Sequence, residues 1–108
     1  MVNKHRGEIA ATLDGRQWTL CLTLGALAEL ETTFEVDNLT QLTERLSSGS
    51  LSSRDMLRII GAGLRGGGHP LADEEIVEMQ AEGGAIGYAR IVAQLLQATF
   101  GGGASERE

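Results

Sequence analysis

The dipeptide Asp14-Gly15 constrains this chain more than any other feature. Two alternating runs flank it, Arg6 to Leu13 before and Arg16 to Leu22 after. Asp-Gly in that setting signals a two-residue type I′ hairpin, because both turn positions need positive φ. Such a loop pairs Leu13 with Arg16, Ala11 with Trp18, Ile9 with Leu20 and Gly7 with Leu22. Ile9, Ala11, Leu13, Trp18, Leu20 and Leu22 then share one face, and Glu8, Ala10, Thr12, Gln17, Thr19 and Cys21 the other. Turn chemistry and face pattern therefore agree. Small Ala11 opposite Trp18 leaves room for the indole to lie across the sheet, and a buried indole would make Trp18→Ala cost about 3–5 kcal/mol.

A two-stranded hairpin is marginal alone, so its apolar face needs a cover. The rest of the chain reads as helix. Thr23 caps a helix from Leu24 to about Phe34, with Leu24, Leu27, Ala28 and Leu30 as its apolar stripe. Asp37 or Asn38 caps a second, Leu39 to Leu46, with Leu39, Leu42 and Leu46 on one face. Ser52, with Asp55 as the capping-box partner, starts a third that runs to about Leu64 and is ended by Gly66-Gly67-Gly68-His69-Pro70. Met56, Leu57, Ile60 and Leu64 share its face. A fourth is expected from Asp73 to Glu82, with Ile76 rather than Glu at the capping-box position and Glu74 and Glu75 in the first turn. The last, Ala85 to about Phe100, is apolar nearly all round, and a helix without a polar face is central in a core or covered by a partner. The expected fold is α+β: an antiparallel hairpin at about 6–22 packed on four to five short helices, in one domain over 1–100, with a flexible tail at 101–108. A third strand, from this chain or by edge addition from another subunit, stays open at this stage.

Composition removes several classes of function. Nine basic residues are scattered through a chain of net charge −6, so the clustered basic footprint of a nucleic-acid binder is missing. A single cysteine, Cys21, permits no internal disulfide. No stretch reaches the roughly 20 apolar residues that span a membrane, and Met1 to Arg6 carry no signal-peptide pattern. The expected location is the cytoplasm. Aromatics make up only 4% of the chain, so Leu, Ile, Val and Ala must fill most of the core.

Chemical motifs are few. Gly61-Ala62-Gly63-Leu64-Arg65-Gly66 spells G-x-G-x-x-G, but it closes a helix instead of opening one after a strand. Close packing of another helix on Gly61 and Gly63, with a C-cap from Gly66 onward, explains it better. Gly66-Gly67-Gly68-His69 lacks the Lys-Ser or Lys-Thr of a phosphate loop. His5 and His69 are the only histidines, too few for a zinc site of about three protein ligands. Cys21 has no local base to make it a nucleophile, and Trp18 and Tyr88 read as core. Glu74, Glu78 and Glu82 would form a solvated acidic row on a helix. The expectation is no catalytic residue, no cofactor and no metal.

The run Arg6-Gly7-Glu8, Thr12-Leu13-Asp14-Gly15 and Thr19-Leu20-Cys21-Leu22-Thr23-Leu24-Gly25-Ala26-Leu27-Ala28-Glu29-Leu30-Glu31 resembles the gene transfer agent family of small phage-tail proteins. Leu51-Ser52-Ser53-Arg54-Asp55, Ile59 to Gly68 and Ala81-Glu82-Gly83-Gly84 extend the likeness over about residues 4 to 100. Members are encoded in the tail gene clusters of gene transfer agents and related prophages, and are described as tail tube or tail assembly chaperone proteins. The resemblance implies a non-enzymatic role in building the tail, binding the tape measure or tail tube subunit before polymerisation. A structural tube component, located in a virion-like particle, is the first alternative that the resemblance implies, and a small adaptor or regulatory domain unrelated to tails is the second. Ile59, Ile91, Leu95 and Leu96 are the expected partner-binding residues, against a rival reading of all four as core. Homo-oligomerisation is open.

Overall fold

A computed structural model describes residues 6–101; His5 and residues 102–108 of the expected tail lie outside them. Strands β1 (Glu8–Leu13) and β2 (Arg16–Cys21) form a two-stranded antiparallel sheet. The register runs from Leu13–Arg16 through Ala11–Trp18 and Ile9–Leu20 to Glu8–Cys21. Asp14 and Gly15 both have positive φ, 54° and 74°, as a type I′ turn requires. The expected Gly7–Leu22 pair is absent, because Gly7 turns out of the strand at φ 79°.

The helices are α1 (Leu24–Thr33), α2 (Leu39–Ser47), α3 (Ser53–Gly66), α4 (Asp73–Ile76) and α5 (Gly84–Leu96), with a π-helical turn at Gln97–Gly101. Three starts follow the expected caps: Thr23 accepts from the Ala26 N–H, Asn38 from Gln41, and Ser52 from Asp55. Asp55 also accepts from the Ser52 N–H at 3.0 Å, which completes the capping box. At the other end of α3, His69 N–H bonds the Leu64 carbonyl and Gly68 N–H that of Arg65. This is a Schellman stop, with Gly68 supplying the left-handed residue at φ 99°.

Two helices differ from expectation. The fourth ends at Ile76 instead of Glu82, and its N-cap is Ala72, whose N–H is taken by Glu75. The reason is tertiary. The Gln80 carbonyl accepts from the Asp14 N–H and the Gln80 N–H donates to Asp14 Oδ1, both at 2.9 Å, while Ala81 bridges to Leu13. The hairpin tip thus draws residues 80–81 alongside β1. Like charges four apart at Glu74, Glu78 and Glu82 also oppose a helix there, so no acidic row forms. The last helix gives way to a π-helical turn at Gln97, where the Thr99 hydroxyl donates to the Leu95 carbonyl at 2.7 Å.

α3 is the hub. The sheet, α1 and α5 all pack on it, and its own Ile59 and Leu64 are fully buried with Leu13, Leu20, Leu30, Leu42 and Leu95 in one connected core. Its glycines allow that closeness. A β-carbon on Gly66 would lie 2.0 Å from the Cys21 carbonyl oxygen, and one on Gly67 2.0 Å from that of Thr19. One on Gly63 would meet Leu95 at 2.7 Å. Close helix packing therefore holds for Gly63 against α5, while the end of α3 lies directly on the backbone of β2. Arg65 ties the layers together: it donates to Glu29 of α1, to the Leu71 carbonyl at 2.8 Å and to Asp73 at 3.1 Å. Glu29 above all pushes the Arg65 guanidinium above its ordinary range, so the link is charged.

Candidate protein-binding surfaces

The apolar face of the hairpin is buried at Ala11, Leu13, Leu20 and Leu22, but Trp18 is only half-buried. Its indole N–H donates to the Leu13 carbonyl at 3.1 Å, the His69 ring meets it edge-on at 4.9 Å, and the Arg16 guanidinium lies over it at 4.5 Å. These contacts make Trp18 a cover for the hairpin tip. Cys21 is buried, with its thiol directed to the Arg6 carbonyl; burial first, then Glu8, pushes its pKa up, the opposite of what a nucleophile needs. Tyr88 is half-buried and donates to the Met79 carbonyl at 2.6 Å, pinning the loop after α4 onto α5. Among the described residues, no group of three His, Cys, Asp or Glu side chains converges as a metal site would require, and no helix is long and apolar enough to cross a membrane.

Among the described residues, two apolar surfaces are open. The first is a groove of about 470 Å³ beside the N-terminal half of α3. Met56, Leu57 and Ile60 form one wall, and Ile76, Val77 and Met79 the other. Leu13, Ala85 and Tyr88 are also in the lining, with Ser53 and Arg54 as polar side chains at its edge. The early end of α4 creates this groove, since a continuous helix to Glu82 would carry residues 77–79 elsewhere. Val77 is 57% exposed at its edge. The methionines Met56 and Met79 give the walls side chains that repack easily around a guest.

The second is the outward side of α5. Gly87, Ile91, Val92 and Leu95 face the core. Ala85, Ile86, Ala89 and Ala93 are exposed, with Ile86 at 68%. At 100° per residue they occupy a stripe about 100° wide, which half-buried Leu96 continues. The all-round apolar helix is therefore half core and half open face.

The expected partner residues divide accordingly. Ile59 and Leu95 are fully buried and Ile91 nearly so, packed in the core where a partner cannot reach them in this conformation. Leu96 alone borders an open face. The residues that do present apolar surface are Ile86 and Val77, together with Leu24 on α1, 82% exposed, and Leu39 on α2, 43% exposed. Leu24 and Leu39 both fit the apolar stripes of their helices by spacing. Each stands at the first position of its helix, before the helix has turned onto the core, and Ala26 takes the inward place on α1. Ile86 was legible as the far side of an over-apolar helix; Val77 was not, because its exposure depends on where α4 stops.

Comparison with known proteins adds one match. The family described as "Phage tail tube protein, GTA-gp10" matches residues 6–102, nearly the whole chain. No curated protein and no solved structure matches.

Proposed function

The chain belongs to this family of phage tail tube proteins, and from that premise we propose that it is a non-enzymatic tail assembly chaperone, holding a helical segment of a tail partner on α5 until polymerisation. A tail-related role, structural or in assembly, comes with the family. The finer reading rests on the open apolar stripe of α5. Ala85, Ala89 and Ala93 are small enough for a second helix to approach to the usual 8–10 Å between axes, and Ile86 supplies an apolar anchor. A tape measure segment or an unpolymerised tube subunit would bring the complementary apolar face. No cofactor enters this mechanism; the work is done by covering a surface and releasing it.

Co-expression with the tape measure and tube proteins of the same gene cluster tests the proposal. Ile86→Asp, at an exposed position, should abolish co-purification of one of them while leaving thermal unfolding unchanged. Retained capture by this variant would refute the role of α5.

The family description itself favours a second reading, a tube component that stays in the particle. Mass spectrometry of purified particles separates the two: a chaperone is absent from them, a tube component abundant.

A further inference from the structure

Leu24 is the most exposed large apolar side chain described, at 82%, and it stands far from the groove. It follows Thr23, whose backbone nitrogen would lie 3.4 Å from a β-carbon on Gly66 at the C-terminal end of α3. The groove lies beside residues 53–60, toward the other end of the same helix. α3 has 14 residues and spans about 21 Å. An apolar knob and an apolar hole thus sit at opposite ends of the hub.

Their charges also match. Arg54 lines the groove, and among the described residues no ion pair engages it. On α1, Leu24, Ala28 and Glu31 fall within about 60° of one another at 100° per residue. Leu24 and Ala28 are exposed, Glu31 is half-buried, and Glu31 too takes part in no ion pair among the described residues. Leu24 and Glu31 are about 10 Å apart along their helix, and Arg54 and Ile60 about 9 Å apart along theirs.

We propose that the groove seats α1 of a second copy of this chain, with Leu24 and Ala28 against Leu57, Ile60 and Val77, and Glu31 against Arg54. The incoming helix runs antiparallel to α3. Because knob and hole occupy different ends of the molecule, the contact is heterologous, and each added copy leaves one knob and one hole free. Such contacts grow into a ring or an open filament and do not stop at a dimer. The groove shares Ala85 with the α5 stripe but not Ile86, Ala89 or Ala93, so Val77→Asp and Ile86→Asp test self-association and capture of a tail partner separately.

Sedimentation velocity of the full chain, from micromolar to near-millimolar concentration, tests the proposal at physiological salt, where repulsion between copies is screened. The wild-type protein should pass beyond dimer as concentration rises. Leu24→Asp and Val77→Asp, both at exposed positions, should each be monomeric with unchanged thermal unfolding. Mixing these two variants should restore one contact and give a dimer only, since one retains the hole and the other the knob. Arg54→Glu should weaken association about fivefold, as loss of a surface ion pair does, and Glu31→Arg in the same chain should recover it. A wild-type chain that stays monomeric, one that stops at a dimer, or a mixture that does not pair would overturn the proposal. So would a monomeric chain whose Val77→Asp variant loses capture of a tail protein, because the groove would then belong to that protein.

Discussion

Replacing Gly66 by alanine puts one methyl group between α3 and the backbone of β2. The added carbon would lie 2.0 Å from the Cys21 carbonyl oxygen and 3.2 Å from its carbon. An ordinary carbon–oxygen contact is about 3.3 Å or more, so helix and strand must separate by over an ångström. A backbone carbonyl cannot swing aside as a long side chain can. Overpacking of this kind costs typically 1–3 kcal/mol. Alanine gains back at most about 1 kcal/mol of helix propensity, and less at a final helical residue. The expected net loss is about 2 kcal/mol, a fall in melting temperature of roughly 10 °C for a domain of this size. Gly25→Ala provides the control. It sits inside α1 with its nearest neighbour 3.9 Å from the new carbon, so it should stabilise by about 0.5–1 kcal/mol. Urea melts of the two variants beside wild type make the comparison. A Gly66→Ala protein as stable as Gly25→Ala would refute the close approach of α3 to β2.

Three further outcomes follow from the packing and the charges. Trp18→Ala should cost about 2 kcal/mol in denaturant melts, below the 3–5 kcal/mol of a fully buried indole, because the ring is half-exposed. The Ser52 backbone N–H, and after it Arg45, hold Asp55 below its ordinary value of 3.8. Its contribution to stability is therefore complete above about pH 4 and is lost as pH falls through the lower folded value; Asp55→Asn should flatten that part of a urea-midpoint profile measured between about pH 2 and 5. Cys21, buried and with its pKa raised, should react with a thiol reagent only slowly in the native protein at neutral pH, and rapidly once urea unfolds the chain.

What could be read from the residues was what nearest neighbours in the chain control. A two-residue turn ties register to side-chain alternation, which is why Ala11 opposite Trp18 was legible before any coordinates. Caps at Thr23, Asn38 and Ser52 were legible for the same reason, each satisfying an N–H three residues away. Helix interiors gave a true period but a coarse face. Leu24 and Leu39 fit the stripes by spacing, yet they lie at helix starts that project beyond the core. Leu95 was expected at a partner surface because its helix is apolar nearly all round, yet Leu95, like Ile59 on α3, lies on the inner side of its helix.

The sequence by itself determined the hairpin, three of the helix starts and the glycine stop after α3, since each rests on contacts within a few residues. Tertiary structure decided where α4 ends, because the competing hydrogen bonds come from Asp14, far away in the chain. That one competition opens the groove and exposes Val77. It also decided the meaning of Gly61, Gly63 and Gly66: a nucleotide-like spelling whose glycines face Asp73, Leu95 and the Cys21 carbonyl. Local chemistry sets which elements form; distant partners set which surfaces are left open for other proteins.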